Sequence, residues 1–314
     1  MNKNQYIEIG NYRQKAMNAA HFFNYLLLKH SFFGAGTIGN LISKLLIRKA
    51  KGPTICPTIY NFNLIVDPVK GRGLEEQIYF RGFYEAGTVY ILSKCLKEND
   101  VFLDIGSNIG LLSIVASKFV GRSGKVYSFE PQVETFSILQ KNIKLNRLEN
   151  VKIYNVACGS AMDNLTLYKN EAFNRGSSSL IKFQENSHEE KISVETIDNF
   201  VQTKNITAVK IIKIDVEGWE VEVLKGAKKL LSGSRAPIIS IEYTNLHPIH
   251  NGKNLDIYKY LIDINNFCIF RLSKGKEIPS KLIRIWDESD LPSHDNLFCF
   301  LPVHLESLPK EIFI

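Results

Sequence analysis

How this chain folds is decided by the stretch Val101-Phe-Leu-Asp104-Ile-Gly106-Ser-Asn108-Ile-Gly110. Its first five residues are apolar except for Asp104, a composition typical of a strand that is buried on both faces. Gly106 and Gly110 follow directly and precede an apolar helical pattern. Glycine lets the backbone turn sharply and come close to a ligand, because it has no Cβ. The stretch therefore predicts a strand, a tight turn and a helix that begins beside a bound molecule.

Apolar segments and amphipathic helical patterns alternate from this stretch onward. Five segments have the composition of strands in a buried parallel sheet, at residues 101–105, 125–129, 151–156, 209–214 and 238–243. Helical stripes with a period of 3.6 residues separate them. Two closing strands follow at residues 267–272 and 297–301. This pattern predicts an α/β fold with a doubly wound, mostly parallel, seven-stranded Rossmann-like sheet that has an antiparallel terminal strand.

Three regions divide the chain. Residues 1–52 are predicted to form a basic helical extension. Residues 53–87, which prolines and glycines punctuate, are predicted to form a short hairpin that leads into the main fold. Residues 88–314 are predicted to be the main domain, in which residues 163–196 form an inserted hairpin around a polar loop.

The net charge of +7 belongs to one end of the chain. The first 60 residues carry eight lysine and arginine side chains and one glutamate, whereas the other 254 carry 31 basic and 31 acidic side chains. A neutral body lacks the basic footprint of nucleic-acid-binding proteins, so no nucleic-acid partner is expected. For residues 1–50 three interpretations stay open: an arm packed on the domain or on a second subunit, an amphipathic segment on an anionic membrane, or a flexible arm.

The cysteines indicate a reducing compartment. The chain has five, with no C-x-x-C pair and no cluster at zinc spacing. The N-terminal segment does not have a signal-peptide pattern, and lysines interrupt its apolar residues too often for a membrane span. The expected location is the cytoplasm, with peripheral membrane contact as an open alternative.

The glycine loop has the wrong pattern for a dinucleotide. The G-x-G-x-x-G fingerprint would need glycine where Asn108 and Leu111 stand. S-adenosylmethionine (SAM), which carries an amino acid, a ribose and a cation but no pyrophosphate, fits better. Asp104 is the candidate to bind the ammonium group, and Glu130, which ends the next strand, to accept both ribose hydroxyls. Ala157 and Cys158, after the third strand, are candidates to lie along the adenine.

Several blocks of the sequence resemble the FkbM methyltransferases, a family of class I SAM-dependent enzymes. They are Tyr84-Glu85, residues 103–110, Phe129-Glu130-Pro131, Asn142 and Asn146, residues 175–179, Thr196-Ile-Asp198, the K-I-D-V-E-G block of residues 213–218, and residues 223–227. Trp219 departs from the pattern, which more often has a small residue there. The resemblance implies SAM as cofactor and methyl transfer to a hydroxyl, often on sugars, glycoconjugates or polyketide-type products. The candidate cofactor contacts then become Glu85, Asp104, Gly106, Ser107, Asn108, Gly110, Glu130, Pro131, Ala157, Cys158 and Asp215.

Carboxylates that follow two later strands are candidates for catalysis. Asp215 and Glu217 come at the carboxyl end of a central strand, where open α/β sheets bind ligands. An aliphatic hydroxyl keeps its proton at pH 7, so a nearby base speeds the reaction, and Asp215 is the first candidate. Glu217 is expected to open a helix, where it can instead serve only as a partner of the helix dipole.

Other side chains near the same strand ends are further candidates. Glu242, on the fifth strand, would complete a carboxylate cluster with Asp215, and no metal is predicted there although a divalent cation stays an open alternative. His247 is a second candidate for the base, and His250 and His294 are expected near the same mouth. Residues 175–179 resemble a mobile flap or, equally, a solvated hairpin tip.

The expected partner is a small molecule or glycan that bears a hydroxyl. A nucleic-acid methyltransferase would need an N/D-P-P-Y/F motif where Asp215-Val-Glu217-Gly218 stands. A non-catalytic scaffold would not need the intact glycine loop. A membrane-docked glycolipid methyltransferase stays open, because it would give the basic extension a role.

Overall fold

The structure is a computed structural model that describes residues 11–30, 35–169, 179–180, 188–245 and 255–314. Its strands are β1 (Thr54–Pro57), β2 (Asn63–Val66), β3 (Val101–Ile105), β4 (Lys125–Phe129), β5 (Val151–Tyr154), β6 (Ala157–Cys158), β7 (Asp163–Lys169), β8 (His188–Glu195), β9 (Ile211–Ile214), β10 (Ile238–Thr244), β11 (Cys268–Leu272), β12 (Leu282–Arg284) and β13 (His294–Phe300). Within this part of the chain they form a hairpin of β1 and β2, a small sheet of β6, β8 and β7, and a main sheet of the other eight.

The main sheet has the strand order β12-β11-β13-β10-β9-β3-β4-β5. Strands β10, β9, β3, β4 and β5 are parallel neighbours. Strand β13 inserts antiparallel between β10 and β11. The predicted doubly wound sheet is confirmed, with one strand more than the seven expected. The additional strand β12 lies at the edge of the sheet and pairs with β11 over three residues, too short a segment to produce a recognisable sequence pattern.

Helices cover both faces of the main sheet. The helices are α1 (Asn11–His30), α2 (Ala35–Leu46), α3 (Leu74–Arg81), α4 (Ala86–Cys95), α5 (Leu111–Phe119), α6 (Val133–Leu145), α7 (Ile197–Thr203), α8 (Glu220–Gly226), α9 (Lys228–Leu231), α10 (Asp256–Asn265) and α11 (Pro302–Ser307). One apolar core joins the sheet to α4, α5 and α6, and a second joins it to α7, α8, α9 and α10. Because successive strand residues point to opposite faces, Phe102 belongs to the first core and Leu103 to the second.

The N-terminal helices pack against α3. The His21 ring Nε2 lies 3.0 Å from the Tyr79 carbonyl oxygen, and the Asn24 amide donates to Ser43 Oγ at 2.7 Å, which joins α1 to α2. None of the helices in the described ranges is both long and apolar enough to cross a membrane.

The lead-in segment differs from its sequence-based prediction. It contains the β1–β2 hairpin, but also the helix α3, whose eight residues show no clear apolar period. Helix α4 begins at Ala86, with Glu85 before it in the left-handed conformation at φ 48°. The boundary drawn between residues 87 and 88 therefore falls inside the first turn of a helix.

The segment between β5 and β9, where the alternation of strands and helices is interrupted, forms a small sheet of its own. Strands β7 and β8 pair antiparallel from Asp163 opposite Val194 to Lys169 opposite His188. The short strand β6 lies parallel to β8. Residues 170–178 and 181–187 of this interruption lie outside the described residues.

Candidate functional site

A cleft opens at the carboxyl ends of β3, β4, β9 and β10 and holds about 1140 Å³ of space, part of it open to solvent. Its walls include twelve residues proposed from the sequence: Glu85, Asp104, Gly106, Ser107, Asn108, Glu130, Pro131, Ala157, Cys158, Asp215, Glu217 and Glu242. This is the edge where open α/β sheets bind their ligands. The topology thus brings most of the candidate residues to one place.

The glycine loop is pressed against the neighbouring strand end. Gly106 has φ +76°, and a Cβ on it would overlap the carbonyl oxygen of Asp215. Gly110 has φ +94°, and a Cβ there would come within 2.5 Å of Leu139 Cδ1. Gly110 ends the loop as the residue before α5 and does not itself line the cleft. Both positions need glycine for conformation and for space.

Glu130 is held in place by two backbone donors. The Asn108 N–H donates to Glu130 Oε2 at 2.9 Å, and the Gln132 N–H donates to Oε1 at 3.0 Å. Each carboxylate oxygen keeps a free lone pair for a further donor. Burial raises the pKa of Glu130 to about 7. The Asn155 amide donates to the Pro131 carbonyl at 2.8 Å and fixes the turn that follows Glu130.

A row of polar side chains crosses the buried centre of the sheet. Ser128, Asp104, Lys213 and Ser240 occupy matching positions on β4, β3, β9 and β10, on the face that α5 covers. All four are buried. Ser113 Oγ, from α5, donates to Asp104 Oδ2 at 2.5 Å and accepts from Ser128 Oγ at 2.8 Å.

Lys213 is the site residue whose role the sequence analysis missed. Its Nζ donates to the Gly106 carbonyl at 3.0 Å and lies 3.2 Å from Asp215 Oδ2 and 3.7 Å from Asp104 Oδ1. Burial disfavours its charge, but Asp215 and Asp104 outweigh that effect and raise the pKa of Lys213. One ammonium group thus ties the glycine loop to the strand that carries Asp215. A lysine inside a buried strand was the signal that pointed to it.

Asp215 and Glu242 form the predicted carboxyl pair: both line the cleft, and each shifts the pKa of the other. Burial opposes ionisation of Asp215, but Lys213 and Lys276 together hold the pKa of Asp215 below its ordinary value. Burial and the neighbouring Asp215 raise the pKa of Glu242 well above its ordinary value. The pKa values of the two groups thus shift in opposite directions, so a proton bound by the pair lies mainly on Glu242.

Lys276 neutralises the other side of this pair. Its Nζ lies 2.7 Å from Glu242 Oε1 and 3.2 Å from Glu85 Oε1. Asn296 donates to Glu85 Oε2 at 3.0 Å. Glu85 thus stands with Glu242, away from the glycine loop with which the sequence grouped it. We call Glu85, Asp215 and Glu242, with Lys213 and Lys276, the carboxylate cluster.

The positive charge in contact with the Glu242 carboxyl group is the ammonium group of Lys276. Among the described residues, no group of three or more His, Cys, Asp or Glu side chains is arranged to hold a metal ion. Lys276 comes from the turn between β11 and β12, where nothing in the sequence pattern marked it.

Of the three candidate histidines, His294 is the one that the structure describes. It is half-exposed at the start of β13, with Nδ1 2.9 Å from Thr244 Oγ1 and Nε2 3.7 Å from Glu242 Oε1. Burial and the charge of Lys276 lower the pKa of His294. His247 and His250 lie outside the described residues.

Glu217 does not open a helix, contrary to the sequence-based expectation. Helix α8 begins at Glu220, and Glu217 lies in the preceding loop in the left-handed conformation at φ 55°. Glu220 instead fixes the loop before the helix, since its Oε1 accepts from the Val216 and Gly218 N–H groups at 3.1 Å each. Burial, followed by the charges of Asp215 and Glu220, raises the pKa of Glu217 to about 8.

The far wall of the cleft is apolar. Ala157 and Cys158 are buried in β6, and burial raises the pKa of the Cys158 thiol, which keeps it protonated. Trp219 lines the same wall, and its indole Nε1 is buried without a hydrogen-bond partner in the described structure. Ser179, the end of the predicted flap, donates from Oγ to the Glu217 carbonyl at 2.7 Å, whereas residues 175–178 lie outside the described residues.

The family profile described as "Methyltransferase FkbM domain" matches residues 104–272, which is more than half of the chain. The chain belongs to the FkbM methyltransferase family. The match runs from Asp104, at the start of the glycine loop, to Leu272, at the end of β11.

Two relatives of this FkbM methyltransferase are 26% and 28% identical to it over half of its length or less. Methyltransferase 1 of Beauveria bassiana is 26% identical over 147 residues, which cover 41% of this chain and 59% of the relative. The hexuronic acid methyltransferase AglP of Haloferax volcanii is 28% identical over 160 residues, which cover 50% of this chain and 62% of the relative. The chain thus spans about three fifths of the length of these curated relatives.

Two solved structures superimpose on the chain with low TM-scores. The FkbM methyltransferase of Methylobacillus flagellatus superimposes with a TM-score of 0.44 and 15% identity, over 92% of this chain and 62% of that one. The TYW2 protein of M. jannaschii, solved in complex with AdoMet, superimposes with a TM-score of 0.40 and 14% identity, over 81% of this chain and 87% of that one.

SAM is the cofactor of this family, and the cleft has the groups to receive it. Asp104 Oδ1 is buried and accepts no hydrogen bond from a described residue, and burial raises the pKa of Asp104. An ammonium group bound there would supply both a donor and a charge that favours the carboxylate. Glu130 offers two oriented acceptors to a diol, and Ala157 and Cys158 offer an apolar wall to an aromatic ring.

Proposed function

We propose that this FkbM methyltransferase transfers a methyl group from SAM to a hydroxyl oxygen of a sugar, a glycoconjugate or a small natural-product-like molecule. The observation that carries the proposal is the Asp215–Glu242 pair, two carboxyl groups at the cofactor cleft that each contact a buried lysine and whose pKa values shift in opposite directions. AglP, a relative named for its action on a hexuronic acid, supports an acceptor of this class.

The cofactor half of the cleft would hold SAM through three contacts. Asp104 would bind the ammonium group, Glu130 the ribose hydroxyls, and Ala157 and Cys158 would pack on the adenine. The glycine loop would bring its backbone N–H groups close to the cofactor through Gly106, Ser107, Asn108 and Gly110. Pro131 and Glu85 lie on the walls of the same cleft. When bound, SAM supplies a methyl group on a sulfonium, and the sulfur keeps the bonding electron pair as a neutral thioether.

Asp215 would act as the base. As the acceptor oxygen forms its bond to the methyl carbon, the hydroxyl proton moves to Asp215, whose ionised form Lys213 and Lys276 stabilise. The Lys213 ammonium group, 3.2 Å from Asp215 Oδ2, would orient the Asp215 carboxylate, and positioning of this kind contributes to the rate along with proton transfer. The excess of carboxylates over lysines near the cleft favours a cationic donor. Glu217 and His247 are further candidates to contact the acceptor.

The test is methyl transfer from tritiated SAM to a panel of uronic acids, neutral sugars and glycoconjugates, with bulk RNA as the competing acceptor. We expect label in hydroxyl compounds and not in RNA. Asp215→Asn should lower kcat by roughly 10²–10⁴-fold, because it removes the base but keeps the shape. Asp163→Asn, an exposed aspartate of β7, is the matched control. Label in RNA, or an Asp215→Asn rate within threefold of the wild type, would refute the proposal.

The proposed location is the cytoplasm. All five cysteines are free, and four of them are buried. Free thiols persist in reducing compartments.

A further inference from the structure

The first two helices expose a concentration of large apolar side chains. Among the described residues, eight of the 14 large apolar side chains that are exposed lie between Phe22 and Leu46, and the other six are scattered. Leu41 is 60% exposed and Leu45 is 76% exposed. Single exposed apolar residues are ordinary, whereas a concentration of them on two neighbouring helices indicates a surface that binds something.

These side chains lie on the outer sides of the helices. On α2, Ile38, Leu41 and Leu45 follow one another at helical spacing and form one stripe. The buried side of α2 is the opposite one, because Ser43 and Ile47 face inward. The stripe is therefore not needed to pack α2 on the rest of the protein.

Helix α1 has the same arrangement. Met17, Ala20, His21 and Asn24 form its buried side, toward α2 and α3. Phe22 and Leu26 lie about half a turn away and are exposed. We call Phe22 and Leu26 of α1, with Ile38, Leu41 and Leu45 of α2, the arm patch.

Positive charge surrounds the arm patch. Lys15, Lys44, Arg48, Lys49 and Lys51 are all exposed on or just after these helices. The first 60 residues contain one acidic side chain, whereas the rest of the chain is neutral. A second copy docked on the same face would bring two like-charged arms together, which opposes association. An anionic surface has the complementary charge.

We infer that the arm patch docks on an anionic lipid membrane. The leucine and phenylalanine side chains enter the boundary between head groups and acyl chains, while the lysines meet the lipid phosphates and carboxylates. This surface works whatever acceptor the cleft takes, because α1 and α2 contribute no residue to the cleft.

The experiment is co-sedimentation of the full chain with vesicles of phosphatidylcholine and phosphatidylserine (about 7:3) and of phosphatidylcholine alone. We expect binding to the anionic vesicles that weakens steeply with salt. Leu41→Gln with Leu45→Gln should lower the partition coefficient at least tenfold, because two apolar side chains no longer leave water. Glutamine keeps the helix propensity of leucine, so α2 should still form.

Matched controls separate this surface from general stickiness. Met162→Gln with Val303→Gln changes two exposed apolar residues elsewhere and should leave binding unchanged. Lys15→Gln with Lys44→Gln should weaken binding to anionic vesicles at least fivefold, whereas Lys97→Gln with Lys125→Gln should not. Circular dichroism melting checks that each variant folds.

Three results would overturn the inference. The first is a wild-type chain that does not sediment with anionic vesicles. The second is a Leu41→Gln, Leu45→Gln variant that folds and binds as the wild type does. The third is a wild-type dimer at low micromolar concentration that this variant converts to monomer, since the patch would then be covered by a second copy.

Discussion

Gly106 is the position where the site tolerates the least change. Its φ of +76° is strained for any other residue, and the space where a Cβ would stand is taken by the Asp215 carbonyl. A substitution there would push the glycine loop away from β9. The loop and the carboxylate cluster would then move together, because Lys213 joins them.

Gly106→Ala should therefore weaken SAM binding at least tenfold and lower the free energy of unfolding by about 2 kcal/mol or more. Calorimetric titration with SAM and urea unfolding measure the two effects. Gly233→Ala is the control, because Gly233 is exposed and a Cβ on it would meet nothing closer than 3.9 Å. Equal behaviour of the two variants would show that the close approach at Gly106 is not required.

The residues of the site differ in how well the sequence predicted them. Asp104, Glu130, Asp215 and Glu242 end or follow buried strands, so a correct sheet places them together at once. Lys276 reaches the cluster from a turn with irregular backbone, and no period in the sequence predicts where such a side chain points. Glu217 was placed wrongly at a helix start, since the helix begins three residues later at Glu220, whose carboxylate holds the preceding loop.

At the scale of elements, helix α6 holds the β1–β2 hairpin through two asparagines one turn apart. Asn142 accepts from the Ile65 N–H at 2.7 Å and donates to the Ile109 carbonyl at 2.9 Å. Asn146 accepts from the Asn63 N–H at 3.1 Å and donates to its carbonyl at 2.7 Å. The two amides thus pair with alternate residues of β2, as a neighbouring strand would.

Asn142→Ala should lower the free energy of unfolding by about 2–4 kcal/mol, because it leaves buried backbone groups of Ile65 and Ile109 unpaired. Asn146→Ala should cost about 1 kcal/mol or less, since the backbone of Asn63 is exposed and water can replace the lost partner. Urea unfolding of both variants measures the difference. A cost at Asn146 equal to that at Asn142 would contradict the role of burial.

The sequence predicted a helix or strand correctly where the hydrophobic pattern of that element determines its structure. The five parallel strands and their helices were predicted because each buries a continuous apolar face. Helix α3 and strand β12 were not predicted, since contacts with other elements rather than their own patterns hold them. Short elements at the edge of a fold depend on their neighbours in this way.

At the scale of the whole molecule, several buried acids make stability depend on pH. Burial and the nearby Glu85 raise the pKa of Glu277 from an ordinary value of 4.5 to about 7. Between these values the folded protein keeps a proton that the unfolded chain has released. The contribution of Glu277 to stability is therefore full below about pH 4.5 and is lost as the pH rises through about 7.

Glu277→Gln imitates the protonated acid at every pH. Between pH 5 and pH 8, the free energy of unfolding of this variant should rise relative to that of the wild type by about 1–3 kcal/mol. Urea unfolding at four pH values in this range measures the gain, and Glu98→Gln, at an exposed position, should show none. Parallel curves for Glu277→Gln and the wild type would exclude this origin of the pH dependence.

The ion pairs of Lys276 have a consequence for how such enzymes diverge. Glu85 and Lys276 lie outside the family-matched residues 104–272, as does His294, yet all three stand beside Glu242. The groups proposed to handle the methyl donor lie within the shared segment, apart from Glu85. A fragment cut at the matched boundaries would keep those groups but would lose Lys276, the cation that contacts Glu242. If the proposed function holds, we expect exchange of the two flanking segments between relatives to change the preferred acceptor and to leave donor recognition intact.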